Sequence, residues 1–336
     1  MSLPDIRPFG TTRDGRAVDL IRLRGGELTV TLLTLGATLH DLRLAGTPWP
    51  LTLGAGSVAA YEGPCRWFGA IAGPVANRIA GAQAMINGKL CRFEANEKGR
   101  TTLHGGATGT DAQVWTLTAT TADSVTLTLE LPDGLGGFPG NRQISACYRL
   151  TDPATLRLTL RATSDRPTLM NLANHSYWNL DGSDQTGDHR LRILADHYLP
   201  TDADGIPLPP APVAGTAFDL RKGRKLGQIP RLDHNFCLSP APTFLRAVAE
   251  LQGQKGVQMQ LSTTAPGLQA YDGAGLGSHP FPGHMGHPHG PRAGLALGPQ
   301  HWPDAPGRAD FPPILLTPDE AYSQTSEWHF SRRGDG

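Results

Sequence analysis

Charge is scarce in this chain of 336 residues, and it cancels. Asp, Glu, Lys and Arg make up 18%, with 30 acidic side chains against 30 basic ones. Such a balance offers no basic field to nucleic acid or to an anionic membrane. A neutral small molecule fits better as a partner. Long apolar runs are missing too: none approaches the roughly 20 residues that a membrane helix needs. The opening MSLPDIRPFG lacks a basic start followed by an apolar stretch, so no secretory signal is expected. A cytoplasmic protein without membrane contact is expected. Cysteine is sparse. Cys65, Cys91, Cys147 and Cys237 lie far apart and form no CxxC pair, which favours four free thiols. Neither a phosphate loop nor a dinucleotide fingerprint occurs, so the chemistry is expected to need no nucleotide.

Helical periodicity is equally rare. Only pieces near 57–62 and 243–251 read as single helical turns. No repeat and no shift in composition marks a boundary, so residues 1–336 are expected to form one domain. The Pro-rich stretch PLPPAPVAGTAFDL (207–220) resembles a linker in composition. Its Phe218 and Leu220 nevertheless predict packing against the body.

Turn formers and alternation are abundant. The chain has 41 Gly and 29 Pro, about a fifth of its residues, well above the usual ~12%. They are spread along the chain between short alternating segments. AVDLIRLRGGELTVTLLTLGATLHDLRL (17–44), WTLTATTADSVTLTLELP (115–132), ISACYRLT (144–151), ATLRLTLRATS (154–164) and GVQMQLSTTAPGLQAYDG (256–273) all alternate apolar with polar. Strands recurring at such short spacing predict an all-β protein, a large antiparallel sandwich or barrel.

Four segments interrupt this pattern with polar groups. GPVANRIAGA (73–82) places Asn77 and Arg78 among small apolar residues, where an arginine needs an acceptor to be buried. NEKGRTTLHGG (96–106) ends a strand at His104 before two glycines, which allow close approach of backbone to a ligand. NLANHSYWNLDG (171–182) surrounds His175 with Asn174, Ser176, Tyr177 and Trp178. LDHNFCL (232–238) brings Asp233 into a strand, and Gln269 joins the set. Singly, each has an ordinary reading: a core histidine, an ion-paired arginine, a turn aspartate, core tryptophans at 178 and 302. Together they suit a sugar, which presents hydroxyls and one apolar face. Two neutral imidazoles suit proton transfer near pH 7. The loop SHPFPGHMGHPHG (278–290) carries His279, His284, His287 and His289. Its spacing is not that of an ordered zinc site, so a mobile surface loop without a functional metal is expected.

These motifs, with LPDGLGGFPGN (131–141), PQHWPDAP (299–306) and FPPILLTPDEAYSQTSEWHF (311–330), occur in an order that resembles the aldose 1-epimerases, or galactose mutarotases. The resemblance spans most of the chain. It implies that family's large antiparallel β-sandwich, the mutarotase-like supersandwich. It also implies cofactor-free interconversion of the α and β anomers of free aldoses such as galactose and glucose, by a monomer or homodimer. A base takes the proton of the anomeric hydroxyl while an acid protonates the ring oxygen, and the C1–O5 bond opens. By motif, His175 is implied as the acid and His104 as a hydrogen-bonding partner near the ring oxygen. Asn77, Arg78, Asp233 and Gln269 are implied as holders of hydroxyls. A neutral chain with one candidate arginine argues against phosphorylated sugars.

One position departs from the pattern. In LALGPQHWPDAPG (295–307) the family places its base, a glutamate, where this chain has Gly298. Impaired turnover is therefore expected, since a positioned base is worth ~10²–10⁴ in rate. Asp304 belongs to the motif itself, and His301 is the nearest imidazole in sequence. Gly307 and Ala274 are smaller departures that bear on loop geometry. Three readings are compatible with Gly298: a mutarotase with a substituted base, a member using another base, or a non-catalytic sugar-binding protein.

Overall fold

The computed structural model describes residues 3–277 and 279–333. Strands dominate, and every pairing within its sheets is antiparallel. Nine strands form the largest sheet. Its centre is the run Ser124–Leu131, Arg142–Thr151, Thr155–Ser164, Tyr322–Arg332, Val257–Thr263 and Arg246–Gln252. Asp5–Thr11, Ala17–Gly25, Leu28–Leu33 and Thr38–Leu44 make a four-stranded meander. A six-stranded sheet runs from Tyr177–Trp178 through Leu295–Gln300, Gly267–Tyr271 and Asp233–Cys237 to its far edge.

Alternation explains how the sheets pack. Along Arg142–Thr151, inward residues such as Ile144, Ala146, Tyr148 and Leu150 are buried and their neighbours face outward. All three sheets bury one such face in a common core. Leu23 and Val30 come from the meander, Leu158 and Trp328 from the nine-stranded sheet, and Leu268 and Leu297 from the six-stranded one. Trp178 packs against Trp328 with ring centroids 5.7 Å apart. The Tyr148 hydroxyl donates to the Ala37 carbonyl at 2.8 Å. The sandwich expected from the alternation is what forms.

Residues 58–61 make the predicted helical turn, capped by the Ser57 side chain accepting from the Ala60 N–H. The second predicted turn is a correction: Arg246–Gln252 is a strand. A register shift between Ala247 and Ala249 leaves Val248 and Ala249 adjacent and both buried. Such a bulge breaks the two-residue period and imitates a helical face, while pairing on both sides overrides local propensity. The 207–220 stretch lies on the body, with Val213 and Leu220 buried and Phe218 packed against Tyr198 and His234 with tilted rings. All four cysteines are free thiols. Among the described residues, no helix is long and apolar enough to cross a membrane.

Candidate active site

The six-stranded sheet turns its second face to a cavity of about 280 Å³. Period two decides which side chains reach it. Ala296, Gly298 and Gln300 line it from one strand, Gln269 and Tyr271 from the next, and Asp233 from the third. Leu295, Leu297, Leu268 and Ala270 point to the core between them. Gly298 sits opposite Gln269 in the ladder, and Asp233 opposite Tyr271. Asn77, Arg78, His104 and His175 close the remaining wall, so all seven residues singled out in the sequence line one cavity.

Asn77 and His104 hold each other. The Asn77 N–H donates to His104 Nδ1 at 3.1 Å, and the His104 N–H returns a bond to the Asn77 carbonyl at 3.0 Å. Both residues adopt left-handed backbone, φ 63° and 52°. A ring nitrogen that accepts an N–H carries no proton, so His104 keeps its proton on Nε2, as a donor. Burial, His175, Arg78 and Arg66 press its pKa well below the ordinary value. The His175 ring lies edge-on to His104, centroids 5.1 Å apart. Its backbone is fixed between the Ala70 carbonyl and the Gly69 N–H. Burial lowers its pKa to about 4.

The glycines after His104 serve a different purpose from the one expected. A Cβ on Gly105 would stand 2.0 Å from the Gly73 carbonyl oxygen, and one on Gly106 would meet the Glu94 carboxylate at 2.6 Å. They allow chain to approach chain, and neither is among the described residues lining the cavity. Gly105→Ala, at φ 82°, should therefore lower unfolding stability by at least about 1–3 kcal/mol, read as a shift in the denaturant midpoint.

Arg78 meets its need for an acceptor. Its Nε and Nη2 donate to Glu97 at 2.8 and 2.9 Å. Burial alone would lower its pKa, but Glu97, Asp233 and Asp202 raise it overall. Gln269 Nε2 donates to Asp233 Oδ1 at 2.8 Å. Burial raises the Asp233 pKa against the pull of Arg78 and that bond. Asp233 is the only carboxylate among the described residues lining the cavity.

Neither Asp304 nor His301 is among the described residues lining the cavity beside Gly298. Asp304 Oδ1 accepts the Ala80 N–H at 2.9 Å, and its own N–H reaches the Arg78 carbonyl, so it braces the segment carrying Arg78. His301 is buried outside the cavity lining, near Tyr322. Trp302 is core, donating to the Pro266 carbonyl at 3.0 Å, and Trp178 is core as well. Gly307 is exposed away from the cavity lining. Ala274 sits in a turn held by its N–H to Asp272 Oδ1, beside the lining residue Gly275. Gly298 itself has no need to be glycine. Its φ is not positive, and a Cβ there would have Asn174 O at 3.4 Å and Ala173 Cβ at 3.9 Å as its nearest contacts.

Sequence reasoning missed Trp67, Tyr271 and Arg231 on the cavity wall and Glu97 behind it. Trp67 packs 5.2 Å from His104, and nothing in its local sequence announces that. Glu97 had a signal: it is a carboxylate on the hairpin that leads to His104. The His-rich loop is pinned rather than loose. His284 Nε2 lies 2.8 Å from the His40 carbonyl and His289 Nε2 3.1 Å from that of Gly54. Among the described residues, no three His, Cys, Asp or Glu are placed to hold a metal ion.

Burial holds His175, His234, His289 and His301 at about 4, and His40 at about 3. An unfolded histidine titrates near 6.5. Below that pH the unfolded chain binds more protons, so stability falls between about 6.5 and 4. Asp111, raised to about 6 by burial, opposes this as a single group between about 3.8 and 6. The melting temperature should therefore drop steadily through that window, and a flat profile would contradict the burial of these rings.

The aldose 1-epimerase family model matches residues 19–329. The chain is 36% identical to rat (Rattus norvegicus) galactose mutarotase, covering 94% of this chain and 95% of that protein. It is 35% identical to aldose 1-epimerase of Escherichia coli, over 94% and 96%. The structure of a Caenorhabditis elegans (C. elegans) aldose epimerase homologue superposes with a TM-score of 0.87 at 28% identity, covering 94% and 99%. Galactose 1-epimerase of Lactobacillus acidophilus superposes with 0.84 at 29% identity, over 98% and 99%. Fold and relatives define a sugar-anomer isomerase. This chain belongs to the aldose 1-epimerase family.

Proposed function

We propose that the cavity binds a free aldohexose such as galactose or glucose, and that the chain interconverts its anomers slowly. In this reading Asn77, Arg78, Asp233 and Gln269 engage sugar hydroxyls. Arg78 has Nη1 left for this after Glu97 takes two of its nitrogens. His104 donates through Nε2 near the ring oxygen, and His175 delivers the proton that frees it. Ring opening at C1–O5 then allows rotation and closure on the other face. The observation that carries the reading is the pair of neutral, edge-on imidazoles facing Gly298 and the Asp233–Gln269 pair across one cavity.

The step without an owner is removal of the anomeric proton. Asp233 is committed to Gln269, and water is a weak substitute. Gly298 therefore favours a second outcome in the same site: sugar binding with little turnover. Polarimetry of freshly dissolved α-D-galactose and α-D-glucose, beside a binding titration, tests both. Binding with slow mutarotation supports the proposal. Fast mutarotation would mean that another group supplies the base. Neither binding nor turnover would remove the aldose from this cavity. We also propose one domain for the whole chain, supported by a core whose members run from Ile21 to Phe330.

A further inference from the structure

We propose that Arg231 makes this cavity prefer aldoses carrying an anionic group, a carboxylate or a phosphate, over neutral ones. The proposal rests on the reading of the cavity as an aldose site and names its substrate class. Three charged side chains line the cavity: Arg78, Arg231 and Asp233. Arg78 is held by Glu97 and Asp233 by Gln269. Arg231 alone has no hydrogen bond or ion pair to any described residue. With glycine at 298, the lining sets two guanidiniums against one carboxylate, so the expectation against phosphorylated sugars, drawn from a single arginine, does not hold in the folded chain.

The backbone beneath Arg231 is fixed while its tip is exposed. Leu232 is 1% exposed and belongs to the core. Its carbonyl accepts the Asp272 N–H at 2.9 Å, and its own N–H reaches Asp272 Oδ2 at 3.4 Å. Alternation about Leu232 then turns residues 231 and 233 to the same side, where both line the cavity. The charge is felt inside: it is one of the influences that oppose the rise of the Asp233 pKa and lower that of His234. A guanidinium matches a carboxylate or phosphate with two parallel donors. A neutral aldose would leave that charge to water.

Titration calorimetry on the native chain with D-galactose, D-galacturonate and D-galactose 6-phosphate tests this, in low and in high salt. At least one anionic sugar should bind about tenfold more tightly than galactose, the size of a charge-assisted hydrogen bond partly screened by solvent. That advantage should shrink in high salt. Arg231→Gln, at an exposed position, should remove the advantage while lowering the affinity for galactose far less. Galacturonate alone gaining would identify a carboxylate, and the 6-phosphate alone a phosphate; either supports the proposal. Equal affinities in the native chain, or an advantage that survives in Arg231→Gln, would overturn it while leaving the aldose site standing. No affinity for any of the three sugars would overturn the aldose reading as well.

Discussion

Gly298→Glu should accelerate mutarotation of α-D-galactose or α-D-glucose by at least about 100-fold, the low end of what a positioned general base contributes. The backbone and the Cβ position offer no obstacle to the change. The backbone at 298 is ordinary, the Cβ has room, and the strand's alternation already aims that position at the cavity. A carboxylate there would act twice. It would accept the anomeric proton, and its negative charge would raise the pKa of His175 from about 4, making the protonated acid more abundant near neutrality. Gly298→Gln is the control, because it fills nearly the same space without a comparable proton acceptor. It should stay slow. Formate added to the native chain should recover part of the rate if it occupies the space beside Gly298. If Gly298→Glu binds sugar and remains slow, the missing carboxylate is not what limits this protein.

His175→Asn should abolish turnover above the solvent blank, in the native chain and in the Gly298→Glu background alike. Loss of a general acid costs ~10²–10⁴ in rate. Sugar affinity should change little, because the hydroxyl-binding groups belong to other segments. The pH profile separates the acid from a merely structural ring. With His175 at about 4, only about one ring in a thousand is charged at pH 7. Enzymatic turnover of the native chain should therefore climb about tenfold per pH unit from 7 toward 5, and this slope should vanish in His175→Asn. A variant with undiminished turnover and the same slope would remove His175 from the reaction.

Much of this was legible in the sequence, because strand periodicity is local. Alternation in 17–44, 144–151 and 154–164 marked real strands. Ordered motifs identified the family, and their polar residues come together in one cavity. The same motifs singled out Gly298 as the position where this chain departs from the family's pattern. Residues 243–251 failed because a bulge writes two buried residues side by side, which the sequence cannot distinguish from a helical turn.

Tertiary structure decided everything that depends on a partner far along the chain. It gave Arg78 to Glu97 and Gln269 to Asp233, and it set the tautomer of His104 through the Asn77 N–H. It turned His301 and Trp302 away from the cavity, committed Asp304 to the Ala80 N–H, and left Arg231 at the cavity wall with no hydrogen-bond or ion-pair partner among the described residues. The physical reason is that a residue's type and period are local, whereas its hydrogen-bond partner and the cavity it faces are set by which strands pair.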